Sequence, residues 1–155
     1  MKRKDFSGVT NRLGEAIGQG DQPQSAERAD NLRSIQRLID AIGRGDLEAA
    51  IANAHPAVRF EMYGPLEFPW VRQATGIEQL RNAIRHNFDS LDQQHPEITS
   101  LTTEGDTIVL IGREHGRVKA TGAPYRMQFV QRFLFREGRL ASITVIAAHD
   151  TVSAG

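Results

Sequence analysis

The chain has no cysteine, few aromatic residues and no excess charge of either sign. The absence of cysteine excludes disulfides, thiolate metal ligands and cysteine nucleophiles. Aromatic residues make up 6% of the chain, so they offer little surface for stacking nucleic-acid bases. The 19 basic residues balance the 19 acidic ones, so no overall field draws in nucleic acid or an anionic membrane. We therefore expect neither nucleic-acid nor membrane binding.

Long apolar runs and metal or phosphate motifs are also missing. No run approaches the length of a membrane span. Met1–Lys4 is basic like the start of a signal peptide, but polar residues interrupt the apolar segment that would have to follow. The five histidines lack metal-binding spacing, and no glycine-rich loop follows a strand and opens a helix. The sequence predicts a cytoplasmic protein that uses no metal or other cofactor.

A long β-meander near the C-terminus is the clearest positive signal. Its three strands are predicted at Asp106–Lys119, Tyr125–Arg136 and Arg139–Ala148. Turns at Thr121–Pro124 and Glu137–Gly138 separate them. A curved antiparallel sheet of this length needs helices on one face and can enclose a pocket there.

The first thirty residues differ from the rest. Four apolar residues spaced three and four apart predict one stripe of a short helix. They are Phe6, Val9, Leu13 and Ile17. A polar linker follows at residues 18–25. Residues 1–29 are thus either a partly ordered tail or an arm that packs on a partner subunit or covers the pocket mouth, and residues 30–152 form the main domain.

Three helices are predicted ahead of the meander. The first begins near Asp30–Asn31 and stops at Gly43–Gly45. Asp46 can cap the second, which Pro56 ends. The third starts at Thr75–Glu78, where the threonine and the glutamate form a capping box.

Two shorter strands complete the predicted elements. Val58–Tyr63 alternates apolar and polar residues, and a second strand runs from His95 to about Thr103. The order is then helix, helix, strand, loop, helix and four strands. This order is typical of an α+β fold in which an antiparallel sheet packs on helices.

This order and several segments resemble the nuclear transport factor 2-like superfamily and, within it, SnoaL-like and ketosteroid-isomerase-related proteins. The segments are His55–Glu61, Tyr63–Pro65, Pro69–Trp70, Gly112–Gly122 and Phe133–Leu140. The resemblance covers roughly residues 30–152. It implies a cystatin-like α+β roll, in which a cone-shaped, curved antiparallel (mixed) sheet packs on three helices around a pocket for a small apolar molecule. It also implies a homodimer that pairs through the outer face of the sheet.

Glu61 is the acid nearest to the position where related isomerases carry a proton-transferring carboxylate on the first strand. The alternation places Phe60 and Met62 on one face of this strand and Glu61 with Tyr63 on the other. If the apolar face lines the pocket, Glu61 lies outside unless a bulge turns it inward. Both orientations stay open.

Gln131 shares one face of its strand with Met127, Phe129 and Phe133. An amide alone on an apolar face must find a hydrogen bond, because leaving it unpaired in a dry site costs roughly 1–3 kcal/mol. In the isomerase branch, a group that donates to the substrate oxygen stands at about this point. The resemblance therefore implies that Gln131 holds an oxygen, and the alternative is a core glutamine bonded to the backbone.

Glu114 and His149 are the other ionisable candidates. Glu114 shares a face with Leu110, so it lies at or near the cavity if that face points inward, and otherwise is a charge at the end of the sheet. His149 reaches the pocket rim if Val145 faces the cavity. Its ordinary pKa of about 6.5 suits acid–base catalysis. The alternative is a histidine at the rim or at a subunit interface.

Six residues are predicted to line the pocket: Phe60, Met62, Tyr63, Trp70, Phe129 and Val145. Tyr63 and Trp70 would flank its mouth, closing over an apolar ligand or only anchoring their loop. One hypothesis is cofactor-free proton transfer, in isomerisation or ring closure, on an apolar carbonyl compound. Glu61 or Glu114 would be the base, His149 the acid or base, and Gln131 the group on the oxygen. The other is a non-catalytic dimeric module that binds a ligand or a protein.

Overall fold

A computed structural model describes residues 4–18 and 25–150. Most of the predicted linker and the last two residues of the predicted domain lie outside these ranges. Four helices lie in these ranges, and none of them has the length and hydrophobicity that crossing a membrane requires. Their bounds are α1 Ser7–Ile17, α2 Ser25–Arg44, α3 Leu47–Ile51 and α4 Ile77–Asp89.

Helix α2 begins at Ser25, earlier than the predicted start near Asp30. The boundary drawn between residues 29 and 30 therefore lies inside this helix. Arg28 supplies a physical reason, because its guanidinium donates to the Thr103 hydroxyl at 3.0 Å and to the Ala16 carbonyl at 3.2 Å. These contacts tie the first turns of α2 to α1 and to the sheet. These contacts join residues distant in sequence, so a local pattern does not predict the early start of α2.

One predicted helix cap is confirmed and the other is wrong. The Asp46 carboxylate accepts a hydrogen bond from the Ala49 amide at 3.1 Å and so caps α3. The capping box at Thr75–Glu78 is absent, because Gly76 precedes α4 with φ at 86° and Thr75 lies in a strand. The Thr75 amide donates instead to the side chain of Gln79 at 2.9 Å. Only glycine enters such a positive φ without strain, so it makes the turn from strand to helix.

The six strands form one sheet in the order β2-β1-β6-β5-β4-β3. The strands are β1 Ala54–Tyr63, β2 Gln73–Thr75, β3 Leu91–Glu104, β4 Thr107–Val118, β5 Pro124–Arg136 and β6 Arg139–His149. All neighbours are antiparallel except β1 and β6, which are parallel. The predicted α+β class with a curved, mixed sheet is confirmed. The first two residues of the short strand β2 lie in the segment predicted as loop, and its last residue, Thr75, was predicted to begin the third helix.

Interruptions in the pairing bend this sheet. Register shifts occur in β3 between Asp92 and His95 and between Ile98 and Ser100, and another lies where β5 meets β6. Such irregularities bend the bulged strand and increase its twist. The inner face thereby wraps around the helices, and its apolar side chains bury against α2 and α4.

Candidate functional site

A cavity of about 130 Å³ lies between the inner face of the sheet, α2, α4 and the segment that leads into α1. Its wall is mostly apolar and includes Leu38, Ile42, Phe60, Phe129, Phe133 and Ile143. An engineered apolar cavity of about 150 Å³ accepts benzene. The cavity as it stands therefore fits a molecule about the size of one ring, not a tetracyclic skeleton.

Gln131 lies in the wall of the cavity, between Phe129 and Phe133 on β5. In the ladder it is paired with Leu110 on β4 and Val145 on β6, and both of these are buried. Within residues 4–18 and 25–150, no hydrogen-bond partner meets its side chain. Its amide can thus serve a ligand oxygen.

Trp70 also lines the cavity and carries a second unpaired donor. Its indole N–H is buried and has no hydrogen-bond partner in the described part of the chain. The ring stacks on Phe68 with centroids 4.4 Å apart, which fixes its orientation. Gly64 permits this position, since a Cβ there would stand 2.8 Å from the indole. A ligand acceptor would remove the cost of the unpaired N–H, roughly 1–3 kcal/mol.

Glu114 on β4 brings a carboxylate to the cavity wall. The hydroxyl of Tyr125 donates to its Oε2 at 2.8 Å, and the Gln94 side chain lies beside it in the cavity wall. Burial raises the pKa of Glu114, while Tyr125, Gln94 and the charge of Lys4 act in the opposite direction. Burial and the nearby carboxylate raise the pKa of Tyr125 as well, so its hydroxyl stays a donor.

Two inward-facing glycines flank Glu114 and make room for its neighbours. A Cβ on Gly112 would stand 2.2 Å from the Glu97 carbonyl oxygen and 2.7 Å from the Phe129 ring. A Cβ on Gly116 would stand 2.8 Å from the Tyr125 hydroxyl. The Gly-x-Glu-x-Gly spacing of β4 thus lets Tyr125 lie across the strand and reach the carboxylate.

Three polar residues of this region were not predicted. Asn87 projects from the apolar face of α4 and holds the backbone of Val71 through bonds of 2.7 and 2.9 Å. Its position among apolar residues at helical spacing could have predicted a buried polar side chain here. Gln94 turns inward at a register shift of β3, and Lys4 precedes every periodic pattern. Neither position carries a local signal.

Glu61 does not line the cavity, so of the two orientations left open by the sequence the outward one is found. The ladder between β1 and β6 is regular here, so Phe60 and Met62 face inward and Glu61 and Tyr63 face outward. The Tyr63 hydroxyl donates to the Glu61 carboxylate at 2.9 Å, and Arg59 lies 3.8 Å from it. Tyr63, predicted to flank the mouth, is 52% exposed on the outer face.

His149 likewise lies outside the cavity. It is half-exposed, and its Nε2 pairs with the carboxylate of Glu67 in the loop after β1. Its ring lies 6.1 Å from that of Phe68. His149 therefore ties the end of β6 to this loop and does not line the cavity. Val145, Phe129, Trp70, Met62 and Phe60 do line it.

Comparison with known proteins identifies the family. The model of the SnoaL-like domain matches residues 35–143. The chain belongs to the SnoaL-like domain family. A comparison with proteins of curated function finds no match.

Solved structures share the fold of this SnoaL-like domain. An NTF2-like protein from Burkholderia xenovorans is 19% identical with a TM-score of 0.65, over 80% of this chain and 92% of that one. A proposed SnoaL-like polyketide cyclase from a Jannaschia species is 20% identical with a TM-score of 0.65, over 84% and 91%. A protein of ketosteroid-isomerase-like fold from Catenulispora acidiphila, in complex with trimethylamine, is 14% identical with a TM-score of 0.59, over 72% and 82%. At these identities the likeness shows the fold alone.

The chemistry available in this SnoaL-like cavity follows from its polar groups. Of the described residues in its wall, Glu114 alone has an ionisable side chain. Gln131 and Trp70 supply neutral donors. No three histidine, aspartate or glutamate side chains in the described ranges lie close enough together to hold a metal ion. The arrangement can bind an acceptor oxygen and move one proton.

Proposed function

We propose that the protein binds a ring-sized apolar carbonyl compound and transfers a proton within it, without a cofactor. The observation that carries this proposal is the unpaired Gln131 amide in a mostly apolar wall. Trp70 adds a second unpaired donor, and Glu114 adds a carboxylate whose pKa burial raises. A base with a raised pKa is better matched to proton transfer near neutral pH than an ordinary carboxylate.

The proton balance needs one carboxylate only. Glu114 would take a proton from the carbon next to the carbonyl, and the electron pair would move onto the carbonyl oxygen. Hydrogen bonds from Gln131 and Trp70 would stabilise that oxygen. The same carboxyl group would return the proton to another carbon, which completes an isomerisation. In ring closure, the carbon would instead attack a second carbonyl, and the proton would pass to the new alkoxide.

The separation of Gln131 and Glu114 along the sheet limits how one ligand can contact both. Gln131 is paired with Leu110, four positions along β4 from Glu114, which corresponds to about 14 Å along the strand. Both side chains line the cavity. Because a carbonyl oxygen and the carbon next to the carbonyl are separated by two bonds, both residues can act on one ketone only where their side chains converge on it.

A non-catalytic binder is the second candidate. It is favoured by the positions of Glu61 and His149, which leave one ionisable group in the described wall. Such a module would hold the same class of ligand through Gln131 and Trp70. Glu114 would then hydrogen-bond a donor on the ligand.

Thermal-shift screening with monocyclic ketones and phenols tests the shared part of both candidates, because a bound ligand raises the melting temperature. We expect Gln131→Leu to fold and to lose affinity for carbonyl ligands by roughly tenfold, the value of about 1.4 kcal/mol for one hydrogen bond. The matched control is Gln128→Leu, which alters the outer face of the same strand. Equal affinities for the two variants would remove Gln131 from the site.

Deuterium exchange separates the enzyme from the binder. In D₂O the enzyme would exchange the hydrogen next to the carbonyl of a bound ketone, as followed by NMR. Glu114→Gln should abolish this exchange and leave binding measurable. A bound ketone that exchanges no faster than it does free in solution would favour the binder.

We further propose that two copies pair through the outer face of the sheet. Tyr63, Ile146, Val130 and Ile111 are successive ladder partners on four neighbouring strands and form what we call the outer apolar row. Ile111 is 43% exposed, and Ile146 is 52% exposed. A two-fold axis through this row would bring the same patch of each copy together.

A further inference from the structure

The segment before α1 contributes to the cavity, although it precedes the residues matched by the SnoaL-like domain. Phe6 and Val9 lie in the cavity wall. The Asp5 amide donates to the Gln94 carbonyl at 2.8 Å, and Lys4 forms a parallel bridge with Gln94. The Phe6 ring packs edge-on against Phe88, with centroids 5.7 Å apart. This segment therefore closes one side of the site.

Three oxygen atoms of the described residues accept hydrogen bonds from Lys4. Its Nζ donates to the Phe88 carbonyl at 2.5 Å, to the Leu91 carbonyl at 3.2 Å and to Oε1 of Gln94 at 2.7 Å. This geometry fixes the ammonium group where α4 ends and β3 begins. Gln94 is 4% exposed, so its side chain cannot turn to water for other partners.

The bond from Lys4 also sets the direction of the Gln94 amide. Because Oε1 accepts from the ammonium group, the NH₂ group is the part left to donate to Glu114, which Gln94 also contacts. A relay of donors thus runs from Lys4 through Gln94 to the carboxylate. Tyr125 donates to the same carboxylate from β5.

We propose that Lys4 is a positioning residue for Glu114: it orients the Gln94 amide toward the carboxylate and supplies a positive charge beside it. This inference rests on the proposed function in taking Glu114 as the group that works in the cavity. The site would then need a residue from outside the matched domain. Loss of Lys4 should favour the protonated form of Glu114, because a cation and an oriented donor both stabilise the charged form.

The test must isolate Glu114 from other titrating groups. Tyr125 and Lys4 face its carboxyl group from β5 and from the N-terminal segment. Glu114 also borders a second depression that contains other ionisable side chains. These are Asp5, His95, Glu97, Arg113, His115, Arg126 and Asp150. A signal from the Glu114 carboxyl carbon itself avoids their contributions.

The experiment is a ¹³C NMR titration of the glutamate side-chain carboxyl groups in the full chain, without ligand. The Glu114 resonance is assigned by its loss in Glu114→Gln. We expect Lys4→Met to raise the titration midpoint of this resonance, and the exposed control Lys119→Met to leave it unchanged. An unchanged midpoint in Lys4→Met would overturn the proposal, whatever the ligand proves to be.

A second variant covers the case in which Lys4→Met does not fold. Gln94→Leu removes the relay and keeps Lys4, and it should raise the same midpoint. If Gln94→Leu titrates like the wild type, the relay does not exist. In a protein that catalyses deuterium exchange, the lower limb of its pH profile should move upward in Lys4→Met. A fall in rate at every pH with no such movement would leave Lys4 a purely structural role and overturn the proposal.

Discussion

The carboxyl group of Glu114 is subject to opposing influences. Burial disfavours its charged form, whereas Tyr125, Gln94 and Lys4 favour it, and burial is the larger influence. The pKa of this group is therefore higher in the folded chain than in the unfolded chain. Folding then takes up a proton at pH values between the two, so the stability that this group contributes is complete below the unfolded pKa. It is lost as pH rises through the folded pKa.

Glu114→Gln should remove this loss of stability. The amide carries no charge at any pH and can still accept from Tyr125 and Gln94. We expect the melting temperature of the variant to rise relative to that of the wild type as pH increases toward 8 from about 4.3, the ordinary pKa of glutamate. Thermal unfolding from pH 4 to 8 measures this, with the exposed Glu104→Gln as control. Parallel curves for the wild type and Glu114→Gln would contradict the expectation.

The residues of the site differ in how far the sequence determines them. The inward placement of Gln131 follows from alternation on a strand with clear apolar neighbours. The same rule places Phe60 inward and Glu61 outward. Gln94 breaks such a rule, since a register shift turns it inward. Lys4 reaches the site through contacts with residues more than 80 positions away, which no local pattern encodes.

At the scale of elements, side chains of β5 can lie across β4 because β4 presents glycine at two inward positions. Gly116 is the clearer case, since both the Tyr125 side chain and the Asp92 carbonyl oxygen stand 2.8 Å from where a Cβ would lie. The strand positions themselves could be predicted from apolar alternation and turn residues. The extension of α2 to Ser25 and the strand β2 could not, because contacts with distant elements create them.

Gly116→Ala should push Tyr125 away from Glu114 and destabilise the protein by about 1–3 kcal/mol, as overpacking does. The matched control is Gly14→Ala on α1, where a Cβ would meet only the Gln36 side chain at 3.4 Å. Alanine inside a helix is favoured over glycine by about 1 kcal/mol, so the control should gain stability. Urea unfolding of both variants gives the comparison. Equal effects would mean that Gly116 makes no room for Tyr125.

At the scale of the whole molecule, the two faces of the sheet differ in what covers them. The inner face packs on the helices and encloses the cavity, while the outer apolar row is open along four strands. Apolar side chains that line up across a sheet and stay exposed mark a surface that another protein covers. In the proposed dimer a second copy of the chain would offer the same row, and isologous pairing would bring the two rows together.

Ile146→Asp should therefore convert a dimer into a monomer. The substitution puts a charge in the middle of the outer apolar row, and burying it in the interface would cost far more than leaving it in water. Light scattering coupled to size exclusion should give twice the chain mass for the wild type and one chain mass for the variant. Leu66→Asp is the control, because Leu66 is 89% exposed in the loop after β1 and lies off the row. A wild type that runs as one chain at every concentration, or a dimer that survives Ile146→Asp, would refute this interface and leave the cavity unaffected.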